Sequence, residues 1–377
     1  MITKTINNKT LGITNGTIQF PNEYCFAFNP NYIFFELGDK VSSVLVEVTD
    51  GTTSNAVSCA LYRGSGRCYV SKLMELLFNK EYLTKRSAVI IFRVYSAEDD
   101  DVVIAEQSTI GIWGSMNVGD TFGGGTMLNN LYDASNHAKF MREVKWFKAF
   151  PFKVSMFSPA ASKSVTLKED GGTEKVVLEE TTTGIFEIVL TGTETTKKEL
   201  LYKIELEAST ILSSFTNIFD KTFTGAQYKY LDELLKVSVS NEKEGYYIRW
   251  IDQYGFLEYW LFKDSTLTNK NKLGDTSIEE DKPIGGIYYA NHERTTHVEN
   301  TTTIKCGATN LTKGQYKVVS TILASPHIDL FKGYDMERNE IWIPINIVAG
   351  SSKCDETKIL QDFELQFTMP DTASQTL

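Results

Sequence analysis

From Tyr24 onward the apolar residues come in short runs separated by turn-forming residues. Tyr24–Phe28, Tyr32–Leu37 and Val44–Val48 are bounded by Asn-Pro, Gly-Asp and Asp-Gly. Runs of that length with that punctuation predict strands joined by turns. Ser58–Tyr62 and Arg67–Val70 flank Gly64-Ser65-Gly66, which predicts a hairpin, because glycine accepts positive φ. Leu73, Leu76, Leu77 and Leu83 recur at helical spacing, so Ser71–Leu83 reads as one short helix with Ser71 as its N-cap. Val89–Tyr95 and Val102–Trp113 return to strand character. Residues 24–113 therefore read as one β-sandwich-like domain. Residues 1–23, polar and weakly patterned, read as an arm or a loose first strand. Residues 114–135 form the expected boundary. Three consecutive glycines, Gly123, Gly124 and Gly125, lose too much backbone entropy to sit in a regular element. The segment is either a flexible linker or a loop that passes close to a neighbouring chain.

Residues 136–377 read as a second β-rich region of one or two domains. Strands are expected at Thr173–Leu178, Ile185–Leu190, Leu200–Ala208 and Leu234–Val239. Tyr246–Trp250, the turn Asp252-Gln253-Tyr254-Gly255 and the return run Phe256–Phe262 make the clearest hairpin in the chain. A polar loop is expected over 263–283 and a strand at Thr301–Cys306. Thr312–Leu323 reads as a helix. Thr312 and Gln315 fit a capping box, Val318, Val319, Ile322 and Leu323 supply an apolar face, and Pro326 follows the stop. The expected class is mainly β: two or more β-sandwich-like domains with a few short helices.

Composition narrows the function. The 377 residues are 42% hydrophobic and 23% charged, which is globular rather than disordered. The net charge of −10, with no Lys/Arg cluster, argues against nucleic-acid binding, which needs a basic face to displace counterions. No apolar run is long enough to span a bilayer, so no membrane insertion is expected. Five cysteines without CxxC spacing argue against a zinc ribbon or a disulfide framework; Cys59 and Cys68 could face each other across a hairpin and form one bridge, but free buried thiols in a reducing cytosol are the expectation.

Chemistry-bearing motifs are sparse. His292-Glu293-Arg294-Thr295-Thr296-His297 resembles HExxH, but its spacing of five turns the second imidazole off the first one's helical face, and its threonines favour a strand. Gly64-Ser65-Gly66 and Gly350-Ser351-Ser352 read as turns, not as nucleophile elbows. Glu98-Asp99-Asp100-Asp101 lacks the spacing of a calcium loop and reads as a solvated turn. No catalytic, metal or cofactor residues are expected. The aromatic clusters, Trp146, Phe147 and Phe150 in one place and Trp250, Tyr254, Phe256, Tyr259 and Trp260 in another, suit packing, a subunit interface or sugar stacking. Their alternation favours packing.

Taken in order, Trp146-Phe147-Lys148-Ala149-Phe150-Pro151-Phe152, the run Tyr247 to Phe256 continuing into Tyr259-Trp260-Leu261-Phe262, Ser325-Pro326-His327, Trp342-Ile343-Pro344-Ile345 and the ending from Leu360 to Leu377 resemble a family of virion proteins of tailed phages and prophages of gut bacteria. The resemblance implies a tail or baseplate component similar in architecture to distal-tail proteins. It implies a protein made in the host cytoplasm that acts in the virion without enzyme activity or cofactor. Its expected partners are other tail proteins and copies of itself in a ring, a hexamer by analogy. On that reading the glycine-rich loop and loop 263–283 are the candidate intersubunit contacts. The alternative is a carbohydrate- or receptor-binding β-module.

Overall fold

The computed structural model describes residues 1–78, 84–97, 102–116, 140–158, 162–169, 174–178, 184–189, 199–208, 215–216, 222–223, 227–273, 277–280, 283–284, 287–288, 292–295, 298–351, 355 and 357–370. The protein is mainly β, with several antiparallel sheets and two α-helices among the described residues. Contacts divide it into two compact units. The first comprises Met1–Trp146, Phe152–Val239 and Ile251–Leu257; the second comprises Phe147–Pro151, Ser240–Trp250 and Glu258–Leu377.

The first unit opens with a two-sheet sandwich. One sheet runs β1 (Ile2–Asn8), β2 (Ile13–Phe20), β4 (Tyr32–Glu36), β7 (Ser65–Tyr69). The other runs β3 (Tyr24–Phe26), β9 (Val103–Ile112), β8 (Ser87–Ser96), β5 (Ser43–Thr49), β6 (Ser54–Ala60). Period-2 alternation sends Ile18, Phe20, Ile33 and Phe35 from the first sheet and Val44, Val46, Val48, Ile90, Phe92 and Val94 from the second into one core. Phe20 and Phe92 meet with ring centroids 6.5 Å apart.

Three expectations change here. Residues 1–23, expected as an arm or a loose first strand, hold two paired strands: β1 and β2 pair from Ile2↔Phe20 to Asn8↔Ile13, and buried Ile13, Ile18 and Phe20 anchor them. The helix α1 covers Ser71–Leu77, and Ser71 does not cap it. Its hydroxyl instead accepts from Asn31 N and donates to Asn29 O, tying the helix start to the loop before β4. The turn after β6 centres on Arg63-Gly64, not on Gly64-Ser65-Gly66. Both residues have positive φ, and Tyr62 and Ser65 exchange backbone hydrogen bonds across them. The flanking strands then diverge into different sheets.

The rest of the first unit adds a five-stranded sheet in the order β10 (Phe140–Phe147), β18 (Gln227–Ser240), β15 (Glu199–Ala208), β12 (Ser162–Glu169), β13 (Glu174–Leu178). β11 (Lys153–Ser158) pairs with β14 (Gly184–Val189), and β16 (Phe215–Thr216) with β17 (Thr222–Phe223).

In the second unit a seven-stranded sheet runs β27 (Glu340–Pro344), β26 (Ile328–Tyr334), β19 (Tyr246–Ile251), β20 (Leu257–Leu273), β25 (Val298–Leu311), β29 (Gln361–Thr368), β28 (Asn346–Ser351). Residues 263–273, expected as a loop, continue β20 instead. The side chains of Ser265–Lys270 are all exposed and mostly polar, so they give no alternation, and the pairing Thr266↔Lys305 through Leu273↔Val298 carries the strand. Two short ladders complete the described strands here: β21 (Ser277–Glu280) pairs with β24 (His292–Thr295), and β22 (Pro283–Ile284) with β23 (Ile287–Tyr288). The helix α2 (Lys313–Ser320) starts as expected. Thr312 Oγ1 accepts from Gln315 N, and Gln315 Oε1 accepts from Thr312 N. Tyr316, Val319 and Ile322 face inward, with Tyr316 edge-on to Phe363.

The predicted hairpin is present. Asp252 accepts at Oδ1 from both Tyr254 N and Phe256 N, and Gly255 closes the turn at φ +84°. A Cβ on Gly255 would sit 2.6 Å from the Trp113 carbonyl, so the position requires glycine twice over. The turn belongs to the first unit because Tyr254 and Phe256 are buried with Phe26, Ile110, Ile112 and Phe157.

Candidate interaction surface

Most aromatic residues singled out in the sequence are spent on cores. In the first unit Trp146 stacks on Phe152 at 6.4 Å, and Tyr254 and Phe256 are buried. In the second unit Phe147 packs edge-on to Trp260 at 5.7 Å, Phe150 stacks on Tyr247 at 4.4 Å, and Tyr247 stacks on Tyr259 at 6.0 Å. Phe150 is half-buried and the others are buried. Trp250 is 0% exposed, and its indole N–H donates to Thr321 Oγ1 at 2.9 Å. Gly123, Gly124 and Gly125 lie outside the described residues.

A different aromatic set reaches the surface. On the outer face of the β1-β2-β4-β7 sheet, the register sets Tyr32 opposite Tyr69 and Phe34 opposite Arg67. The pleat that buries Ile33, Phe35 and Cys68 must turn these four outward. The Tyr32 and Tyr69 rings lie 5.3 Å apart, and the Arg67 guanidinium sits 5.3 Å above the Tyr32 ring. At the adjoining turn Arg63 covers the Tyr62 ring at 5.5 Å. Tyr62 is 77% and Tyr69 44% exposed. Rigid two-torsion rings, two of them paired with a guanidinium, form a contact surface that loses little entropy on binding. Beside them lies a shallow groove of about 240 Å³ lined by Thr17, Gln19, Phe34, Glu36 and Ser65. The sequence reading missed this set. Tyr32–Leu37 looks uniformly apolar, and only the strand's period separates its two faces.

The second unit carries a charged cluster beneath aromatic cover. The buried Asp329 carboxylate accepts from Arg249 Nε at 2.9 Å and lies 2.9 Å from His327 Nε2. Arg249 in turn covers the Trp342 ring at 4.1 Å. Burial pushes the Asp329 carboxyl up, but hydrogen bonding and charge from His327 and Arg249 outweigh it and hold the group below its ordinary range. A carboxyl depressed on folding contributes stability above its unfolded pKa and loses it as pH falls through the folded value. Asp329→Asn should therefore destabilise the protein at pH 7, with the gap to wild type closing below about pH 4, where the unfolded carboxyl protonates. Urea midpoints measured from pH 7 down to pH 2 check this; a gap independent of pH would remove the ionic account.

His292 lies in strand β24, as its neighbours favour, and His297 lies outside the described residues. The run 98–101 also lies outside them. Among the described residues no group of three His, Cys, Asp or Glu side chains is placed to hold a metal ion.

No family model and no curated protein matches the chain. Eight chains of solved structures match. One is the full extracellular region of plexin A4, domains 1 to 10, at 7% identity and a TM-score of 0.21, covering 94% of this chain and 31% of that one. The chain thus spans about a third of that protein's length, and a similarity this low carries no argument about fold or function.

Proposed function

We propose that this chain is a non-enzymatic structural subunit of a tailed-phage virion, acting in the tail or baseplate as one member of a ring of identical copies. The observation that supports the reading is the set formed by half-buried Tyr32 and exposed Tyr62, Arg63, Arg67 and Tyr69 on a sheet face and its adjoining turn. Tyrosine and arginine are the residue types that dominate protein–protein hot spots. The virion itself comes from the resemblance in the sequence. A face on one copy that meets a different face on the next closes into a ring when the rotation between them permits.

Light scattering across a concentration series tests the reading. The wild type should approach the mass of six copies of the 42.5 kDa chain. Arg67→Glu should raise the concentration needed for assembly by ~30-fold, as expected for loss of one hot-spot residue. A monomer at every concentration that also fails to co-purify with virions would overturn the proposal. The groove beside Phe34 favours a second reading, a carbohydrate- or receptor-binding module, because a ring flanked by Thr17, Gln19 and Glu36 offers both stacking and hydrogen bonds to a sugar. A monomer that binds immobilised glycans, with binding lost in Phe34→Ala, would select it.

A further inference from the structure

The turn that carries Tyr62 and Arg63 is closed at its base by two thiols. Cys59 lies near the end of β6 in the five-stranded sheet, and Cys68 lies in β7 of the four-stranded sheet. Cys59 Sγ donates to the carbonyl of Arg67 at 3.3 Å, beside Cys68, and the two thiols are within hydrogen-bonding reach of each other. Both are reduced in this structure. The other described cysteines are isolated: Cys25 lies against Thr109 and Cys306 is buried in β25. Cys59 is partly exposed and Cys68 buried, which distinguishes an attacking from a resolving sulfur.

We infer that Cys59 and Cys68 form a disulfide that bolts the two sheets of the N-terminal sandwich together and clamps the turn bearing Tyr62, Arg63 and Arg67. The oxidant is a small-molecule disulfide such as oxidised glutathione. The Cys59 thiolate attacks one of its sulfurs and expels a glutathione thiolate. The Cys68 thiolate then attacks Cys59 Sγ and expels the second. One S–S bond breaks and one forms, the two electrons from the cysteines reduce the glutathione disulfide, and the two cysteine protons pass to the released thiolates. Burial, together with the neighbouring Cys59, pushes the Cys68 thiol up to about 12, so the resolving step should quicken as pH rises. The chemistry is independent of the assembly proposed above. For a protein made in a reducing cytosol and later released, it would fix the contact surface only after release.

The test uses the full-length reduced protein, folded, in buffers of oxidised and reduced glutathione, at neutral pH and near pH 9. After alkylation and trypsin digestion, cleavage at Arg63 and Arg67 separates the two cysteines. A native disulfide therefore appears as peptide 41–63 linked to peptide 68–72, lighter by two hydrogen atoms than the reduced pair. The expected result is that linkage, faster at the higher pH, with Cys25 and Cys306 still reduced. The oxidised protein should melt on the order of 5 °C higher, and Cys59→Ser and Cys68→Ser should each abolish both linkage and shift. Glutathione adducts without the link, a link involving Cys25 or Cys306 instead, or a link that lowers the melting temperature would overturn the inference.

Discussion

Replacing Trp250 by alanine should cost about 3–5 kcal/mol, the range for truncating a fully buried large aromatic side chain. Trp250 has no exposed surface, packs 6.4 Å from the Phe262 ring and donates to Thr321 Oγ1. Thr321 does not lose its place, because its own hydroxyl donates to the Val318 carbonyl. The loss is therefore mainly cavity and transfer energy rather than a stranded polar group. Trp250→Phe keeps most of the ring volume and should cost about half as much. Urea unfolding of both variants measures the difference. A loss below about 1 kcal/mol for the alanine variant would mean that Trp250 is not a core residue.

Glu187→Ala should cost about 3 kcal/mol for a different reason. Arg86 is buried with its guanidinium 2.5 Å from Glu187 Oε1, and its Nε and Nη1 have no hydrogen-bond partner. Removing the one carboxylate would leave an uncompensated charge out of water, which destabilises far more than the intact pair stabilises. The low end of the usual range applies because Glu187 is still partly exposed and also meets Lys153 at 3.6 Å. The double variant Arg86→Met, Glu187→Leu should recover most of the loss, since similar-sized apolar side chains often replace a buried pair without penalty. Melting temperatures of Glu187→Ala and of the cycle Arg86→Met, Glu187→Leu and their double variant measure the effect. A double variant no more stable than Glu187→Ala would show that the arginine is held by packing and not by its charge.

Local signals were legible where the physics is local. Thr312 and Gln315 act on each other three residues apart, so the sequence alone predicts the cap that α2 shows. Asp252 and Gly255 likewise mark their turn within four residues. Ser71 looked like the same kind of signal and was not, because Asn29 and Asn31, some forty residues earlier, take its hydroxyl. Residues 1–23 seemed weakly patterned because only one face of β2 is buried, with Gly16 at one of those inward positions. The contact surface was hidden for a related reason. Arg67 meets Tyr32, and Tyr69 faces Tyr32, only through the β4–β7 register, which no local window contains. The Trp250–Trp260 segment drew the eye by its aromatic density, yet density signals burial as readily as recognition.

Each compact unit is built from three separate stretches of chain, and this constrains how the protein is born. The first unit cannot close until the ribosome has released Ile251–Leu257, by which time two of the three stretches of the second are already outside the tunnel. At roughly 5–20 residues per second, the remaining 120 residues take another 6–24 s or so. Through that interval the strand Tyr246–Ile251 waits with its apolar face unpaired, since its sheet partners β20, from Glu258 on, and β26 come later in the chain. A nonsense mutation anywhere before residue 251 leaves both units incomplete, whereas one just after Leu257 leaves all three stretches of the first unit and truncates the second.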